Sequence, residues 1–203
     1  MKDFFRERRP HDGLTYEEYL EHWKELANAS PRDAQDKSER KLIHYYKYNW
    51  KRSQAVTEAY EPSDELVAAM EGIDEPQLWM VLTEPWCGDS AYNLTIIAEA
   101  AQLSDQVELR ILLRDENLDI MDQYLTEGGR RIPKLVAFDA DGRELFQWGA
   151  RPEGARTLRE SLIEQDEDSG TVVQRLLGWY DDGGWTQVDD ELAAAVQSVR
   201  QAA

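Results

Sequence analysis

At Gln77 the apolar pattern of the chain changes period, and this limits the possible architectures more than any other feature. Before Gln77 apolar residues recur every three or four positions. Thr15 to Ala29 reads as a helix, with Thr15 as its N-cap, Glu18 placed as in a capping box, and a stripe of Tyr16, Tyr19, Leu20, Trp23 and Leu26. Ser38 to Tyr60 reads as a second, longer helix, and Asp64 to Glu71 as a short one ending near Gly72. From Gln77 onward the run Leu78-Trp79-Met80-Val81-Leu82-Thr83 is continuously apolar up to its last residue, as in a strand buried on both faces. A helix follows Glu84-Pro85-Trp86-Cys87-Gly88 and runs to about Leu103. Val107 to Leu113 reads as a strand, Leu118 to Leu125 as a helix closed by Gly128-Gly129, and Pro133 to Phe138 as a third strand. Asp141-Gly142 turns the chain into a fourth strand, Glu144 to Trp148, and Glu153 to Gln165 is helical. The order β-α-β-α-β-β-α predicts an α/β fold, a mixed four-stranded sheet flanked by helices. Gln165 to Ser169 is expected to be a surface loop. Val172 to Tyr180 and Asp190 to Val199 are expected as C-terminal helices separated by a turn at Asp181 to Gly184. The organisation expected is an N-terminal helical arm over 1–63, a main domain over 64–165 and a helical extension over 166–203.

Composition narrows the function classes. The chain has one cysteine, so an intrachain disulfide framework is excluded and a cytoplasmic protein is expected. No run reaches the ~18–20 apolar residues of a membrane helix, and the basic start has no apolar stretch behind it. His11, His22 and His44 lack ligand spacing, and Asp115, Glu116 and Asp119 read as a solvated helix start, so neither metal nor cofactor is expected. The net charge is −18, and all of it falls in residues 63–203, which carry 11 basic and 29 acidic residues against 12 of each in residues 1–62. Such a body repels phosphate backbones, so no nucleic-acid partner is expected. The helix KSERKLIHYYKYNWKRSQ interleaves basic and aromatic residues as single-strand binders do, but reads better as an amphipathic arm packed on the acidic body. Trp179, Tyr180 and Trp185 read as packing anchors. Acid-rich, lysine-poor surfaces also suit proteins of a high-salt cytoplasm.

The candidate chemistry centres on Cys87, where the first strong strand meets a helix. A helix N-terminus offers free N–H groups and partial positive charge, which stabilise a thiolate. Ser90, in the first turn, is placed to donate to the sulfur. Asp89 opposes the thiolate by like charge. On that balance the thiol is expected at an exposed strand end with a pKa modestly below the usual value of about 8.5.

Trp86-Cys87-Gly88-Asp89-Ser90 resembles the Trp-Cys-Gly-x-Cys motif of the thioredoxin superfamily. Arg131-Ile132-Pro133-Lys134-Leu135 resembles that family's Ile-Pro-x-Leu segment, with Pro133 lying 46 residues beyond Cys87. The resemblance covers roughly 64–165 and implies a thioredoxin-like fold in which Pro133 is cis and faces Cys87. It also implies a substrate groove along Arg131 and Ile132 beside Trp86, Gly88 and Asp89. The strings TEPWCGDSA and GGRRIPKLVAFD look like a bacterial branch of this superfamily with an extra N-terminal helical arm. Ser90 stands where the resolving cysteine would be, and Val81 where the family has a buried aspartate that serves it. With one thiol, dithiol–disulfide turnover within the chain is excluded. Monothiol chemistry remains, either reduction of mixed disulfides or redox sensing through oxidation of Cys87, with Cys87 and Ser90 as catalytic candidates and a protein or small thiol or disulfide as substrate. A non-catalytic binding module is the alternative. A third is a cluster binder, because Cys-Gly-x-Ser also occurs in monothiol glutaredoxins, which hold an iron–sulfur cluster with glutathione.

Overall fold

A computed structural model describes residues 1–202. In chain order its elements are α1 (Asp3–Arg6), α2 (Tyr16–Asn28), α3 (Lys37–Ala59), α4 (Asp64–Glu71), β1 (Gln77–Thr83), α5 (Gly88–Gln102), β2 (Val107–Leu113), α6 (Leu118–Met121), β3 (Lys134–Asp139), β4 (Glu144–Gly149), α7 (Glu153–Glu164), α8 (Ser169–Asp181) and α9 (Gln187–Ala202). The sheet order is β2-β1-β3-β4, with β1 parallel to β2 and antiparallel to β3, and β3 antiparallel to β4. This is the mixed four-stranded sheet that the element order predicts.

The apolar run of β1 follows from a sheet covered on both faces. Trp79 and Val81 join one core with α2, α4, α5 and α9. Leu78, Met80 and Leu82 point the other way, into a second core built with Phe4 and Phe5 of α1 and Ile120 and Met121 of α6. A strand with two dry faces has no polar alternation to show. Gly142, at φ +73° in the β3–β4 turn, meets this second core. A Cβ there would fall 2.4 Å from the Phe5 ring, so both the turn and the packing of α1 require glycine.

Local signals set the helix starts. Thr15 accepts from the Glu18 N–H while the Glu18 carboxylate accepts from Thr15 N, a complete capping box. Asp36 caps α3 and Ser63 caps α4. Asp189, a buried carboxylate on α9, accepts from Tyr60 Oη at 2.6 Å and from Ser63 N at 3.0 Å, tying the start of α4 to the C-terminal helix.

Two expectations are corrected. The helix over Leu118–Leu125 stops at Met121, because Gln123 and Tyr124 take the tighter bonds of a turn from Ile120 and Met121. The acidic loop ends at Asp168, which caps α8 through the N–H groups of Gly170 and Thr171. The start of the chain holds the helix α1, unannounced by any periodicity because four residues are too few to show one. Leu14 also exchanges backbone bonds of 2.9 and 2.8 Å with Ile111 on the free edge of β2.

Candidate functional site

The chain leaves β1 at Thr83 and enters α5 at Gly88, with Cys87 as N-cap in extended conformation. Pro85 lies inside this short connection, and its carbonyl accepts from Asn49 Nδ2 at 3.2 Å. Asn49 is 1% exposed, so α3 is bolted to the connection by a buried polar bond. Across from Cys87 runs the segment Arg130–Pro133, which enters β3 through a cis Ile132–Pro133 peptide. The Cys87 thiol donates to Ile132 O at 3.3 Å. Trp86, Cys87, Gly88, Asp89, Arg131 and Ile132 all line one open cleft of about 520 Å³.

Ser90 does not line that cleft. It is 1% exposed, and its hydroxyl accepts from Thr83 Oγ1 at 2.7 Å. Its own proton and backbone N–H, with the N–H of Asp89, stabilise negative charge on Cys87.

The expectation of an exposed, mildly acidic thiol is corrected. Cys87 is 8% exposed. Burial, followed by the like charge of Asp89, pushes its thiol up to about 11, against the pull of Ser90 and the helix N–H groups. Asp89 in turn does not sit in solvent. Its side chain is 13% exposed and holds Arg151 in a two-pronged pair, Oδ1 to Nε at 2.9 Å and Oδ2 to Nη2 at 2.6 Å. Tyr180 Oη donates to the same carboxylate at 3.1 Å. Burial raises the Asp89 carboxyl above the usual range while Arg151 and Tyr180 pull it down. Tyr180 thus serves the site as well as packing, where its ring stacks on Tyr92 at 4.5 Å.

Glu84, the first residue of the connection, is another buried carboxyl. It accepts from Asp115 N at 2.8 Å, and burial lifts it to about 7. Asp119, considered above as a solvated helix start, pairs with Arg9 of the N-terminal segment.

The residues that sequence reading missed are arginines. Arg52 on α3, Arg114 after β2, Arg130 before β3, Arg151 before α7 and Arg159 on α7 share the cleft with Arg131. The Arg114 guanidinium lies 4.7 Å from the Trp86 ring centre. One signal for them was available: beyond residue 62 the only lysine is Lys134, so nearly every cation there is the planar, fork-shaped kind suited to holding anions.

A family model described as Thioredoxin matches residues 35–165. Among solved structures, a protein of unknown function from Pseudomonas aeruginosa is similar over 91% of this chain and 98% of its own, at 17% identity and TM-score 0.54. An HIV epitope-scaffold is similar over 91% of this chain and 99% of its own, at 18% identity and TM-score 0.55. At such identities the likeness is one of fold. No curated protein matches the chain.

Proposed function

The chain belongs to the thioredoxin family, and from that premise we propose that it carries out monothiol thiol–disulfide exchange through Cys87. The observation that carries this reading is the setting of the sulfur: an N-cap thiol at the edge of an open cleft, bonded to the carbonyl that precedes the cis-proline. In the first step the Cys87 thiolate attacks one sulfur of a disulfide R–S–S–R′. The S–S bond breaks, Cys87–S–S–R forms, and R′S⁻ leaves and takes up a proton. A second small thiol R″SH, as thiolate, then attacks the sulfur that carries R, the Cys87–S bond to it breaks, R–S–S–R″ forms and Cys87 is released as thiolate. Disulfides are exchanged without net oxidation of the protein. Ser90 and the first N–H groups of α5 stabilise the thiolate in both steps.

Because the resting thiol titrates near 11, only about one molecule in ten thousand carries the thiolate at pH 7. Its alkylation by iodoacetamide should therefore climb about tenfold per pH unit between pH 7 and 10 without levelling off. A mixed disulfide of a small thiol with a model peptide should be turned over by the wild type and not by Cys87→Ser, faster as pH rises. Turnover that survives in Cys87→Ser would overturn the reading.

The burial and high pKa of the same thiol favour a second reading, a non-catalytic thioredoxin-fold binding module whose cleft docks a ligand beside an inert Cys87. Absence of exchange even at pH 10, with Cys87 alkylating slowly, selects it.

A further inference from the structure

Six guanidinium groups line the Cys87 cleft of a protein whose net charge is −18. Five of them, Arg114, Arg130, Arg131, Arg151 and Arg159, come from the 11 basic residues that the acidic part of the chain possesses. This is a concentration of the scarce charge at one place. Four of the six have carboxylate partners: Arg114 with Asp115, Arg130 with Asp122, Arg131 with Glu127 and Arg151 with Asp89. Of these acids only Asp89 lines the cleft. Arg52 and Arg159 form no ion pair among the described residues, and both are half-buried. Arg52 is held by Asn49 Oδ1 at 3.0 Å, from the same side chain that fixes the Cys87 connection. Arg159 is disfavoured in its charged form first by burial and then by its neighbours Arg131 and Arg151, and the more weakly acting Glu127 and Asp89 offset only part of this without pairing with it directly.

We propose that the cleft binds a small dianionic molecule, held by Arg52 and Arg159 with Arg131 beside them, its apolar part lying over Trp86 and Leu177. Two unpaired guanidiniums ask for two anionic groups, and their planar forks suit carboxylate or phosphate oxygens. The volume of about 520 Å³ falls within the usual range of ~300–1,000 Å³ for small-ligand sites. The acidic body outside the cleft repels a long polyanion, which would have to cross it, and this favours a ligand that fits inside. The assignment does not depend on Cys87 being reactive, since no part of it uses the sulfur.

The test is isothermal titration calorimetry of the full chain with phthalate and with phenyl phosphate, at pH 8 and a constant ionic strength of about 0.1 M. One-to-one saturable binding of either probe is the expected result, and the tighter of the two names the anionic group. Arg159→Gln and Arg52→Gln should each weaken it by about tenfold or more. Arg159→Lys and Arg52→Lys, which keep the charge, should weaken it less and guard against loss through misfolding. Arg143→Gln, the same charge change on the exposed hairpin, should leave it unchanged; saturable binding of probes that carry neither thiol nor disulfide also separates this inference from the exchange reading. Three results would overturn the proposal: neither probe saturating up to ~10 mM, Arg143→Gln weakening binding as much as the cleft variants, or an oligoglutamate peptide binding where neither dianion does.

Discussion

The chemistry of the site turns on two side chains two positions apart. Cys87 is kept protonated by burial and by Asp89, and Asp89 is kept in place by Arg151. Replacing Asp89 by Asn removes the like charge and leaves the half-buried Arg151 guanidinium close to the sulfur. The thiolate should then be favoured, and the apparent pKa of alkylation should fall from about 11 by on the order of one unit. Stability should move the other way, by about 1–3 kcal/mol, because Arg151 loses a two-pronged charged partner. Iodoacetamide rates across pH 7–10 and urea melts of the same variant check the two directions. A purely structural Asp89 would lower stability and leave the alkylation profile where it was.

At the scale of elements, the short connection between β1 and α5 carries the site, and its rigidity has a pH dependence. The Glu84 carboxyl has an ordinary value of 4.5 and is lifted by burial to about 7. Below pH 4.5 it is neutral both folded and unfolded. As pH rises from 4.5 to 7 the unfolded chain releases this proton more readily than the folded one, so the fold weakens across that window and stays weaker above it. The full effect is on the order of 3 kcal/mol. Glu84→Gln keeps an oxygen for the Asp115 N–H and has no proton to lose. Its advantage in denaturant melts should be absent at pH 4 and grow to a plateau near pH 8. A difference that does not vary with pH would remove the buried-carboxyl explanation.

At the scale of the whole molecule, one thiol in the chain sets a limit on turnover. With a thioredoxin reductase as the sole electron source, no insulin-type disulfide reduction is expected, and robust turnover would mean that a second thiol joins from another subunit. The element order, the two-faced burial of β1, the capping box at Thr15 and the position of Cys87 at a helix start were legible in the sequence. Each is written in residues near one another, where period, caps and turn residues act through local geometry. The thiol's burial and the arginine cleft were not legible. Arg52 comes from α3, Arg131 from the segment before β3, and Arg151 and Arg159 from the approach to α7 and from α7 itself, and Asn49 reaches Pro85 across 36 residues of chain. Cys87 became a buried, weakly acidic thiol only when the second core, with Ile120 and Met121 of α6, and Ile132 of the Arg130–Pro133 segment closed around it. The sequence by itself determined which elements form and where the sulfur starts its helix. Tertiary packing alone decided how much water reaches that sulfur and which charges face it, because solvation and Coulomb energy depend on distance in space and not on separation along the chain.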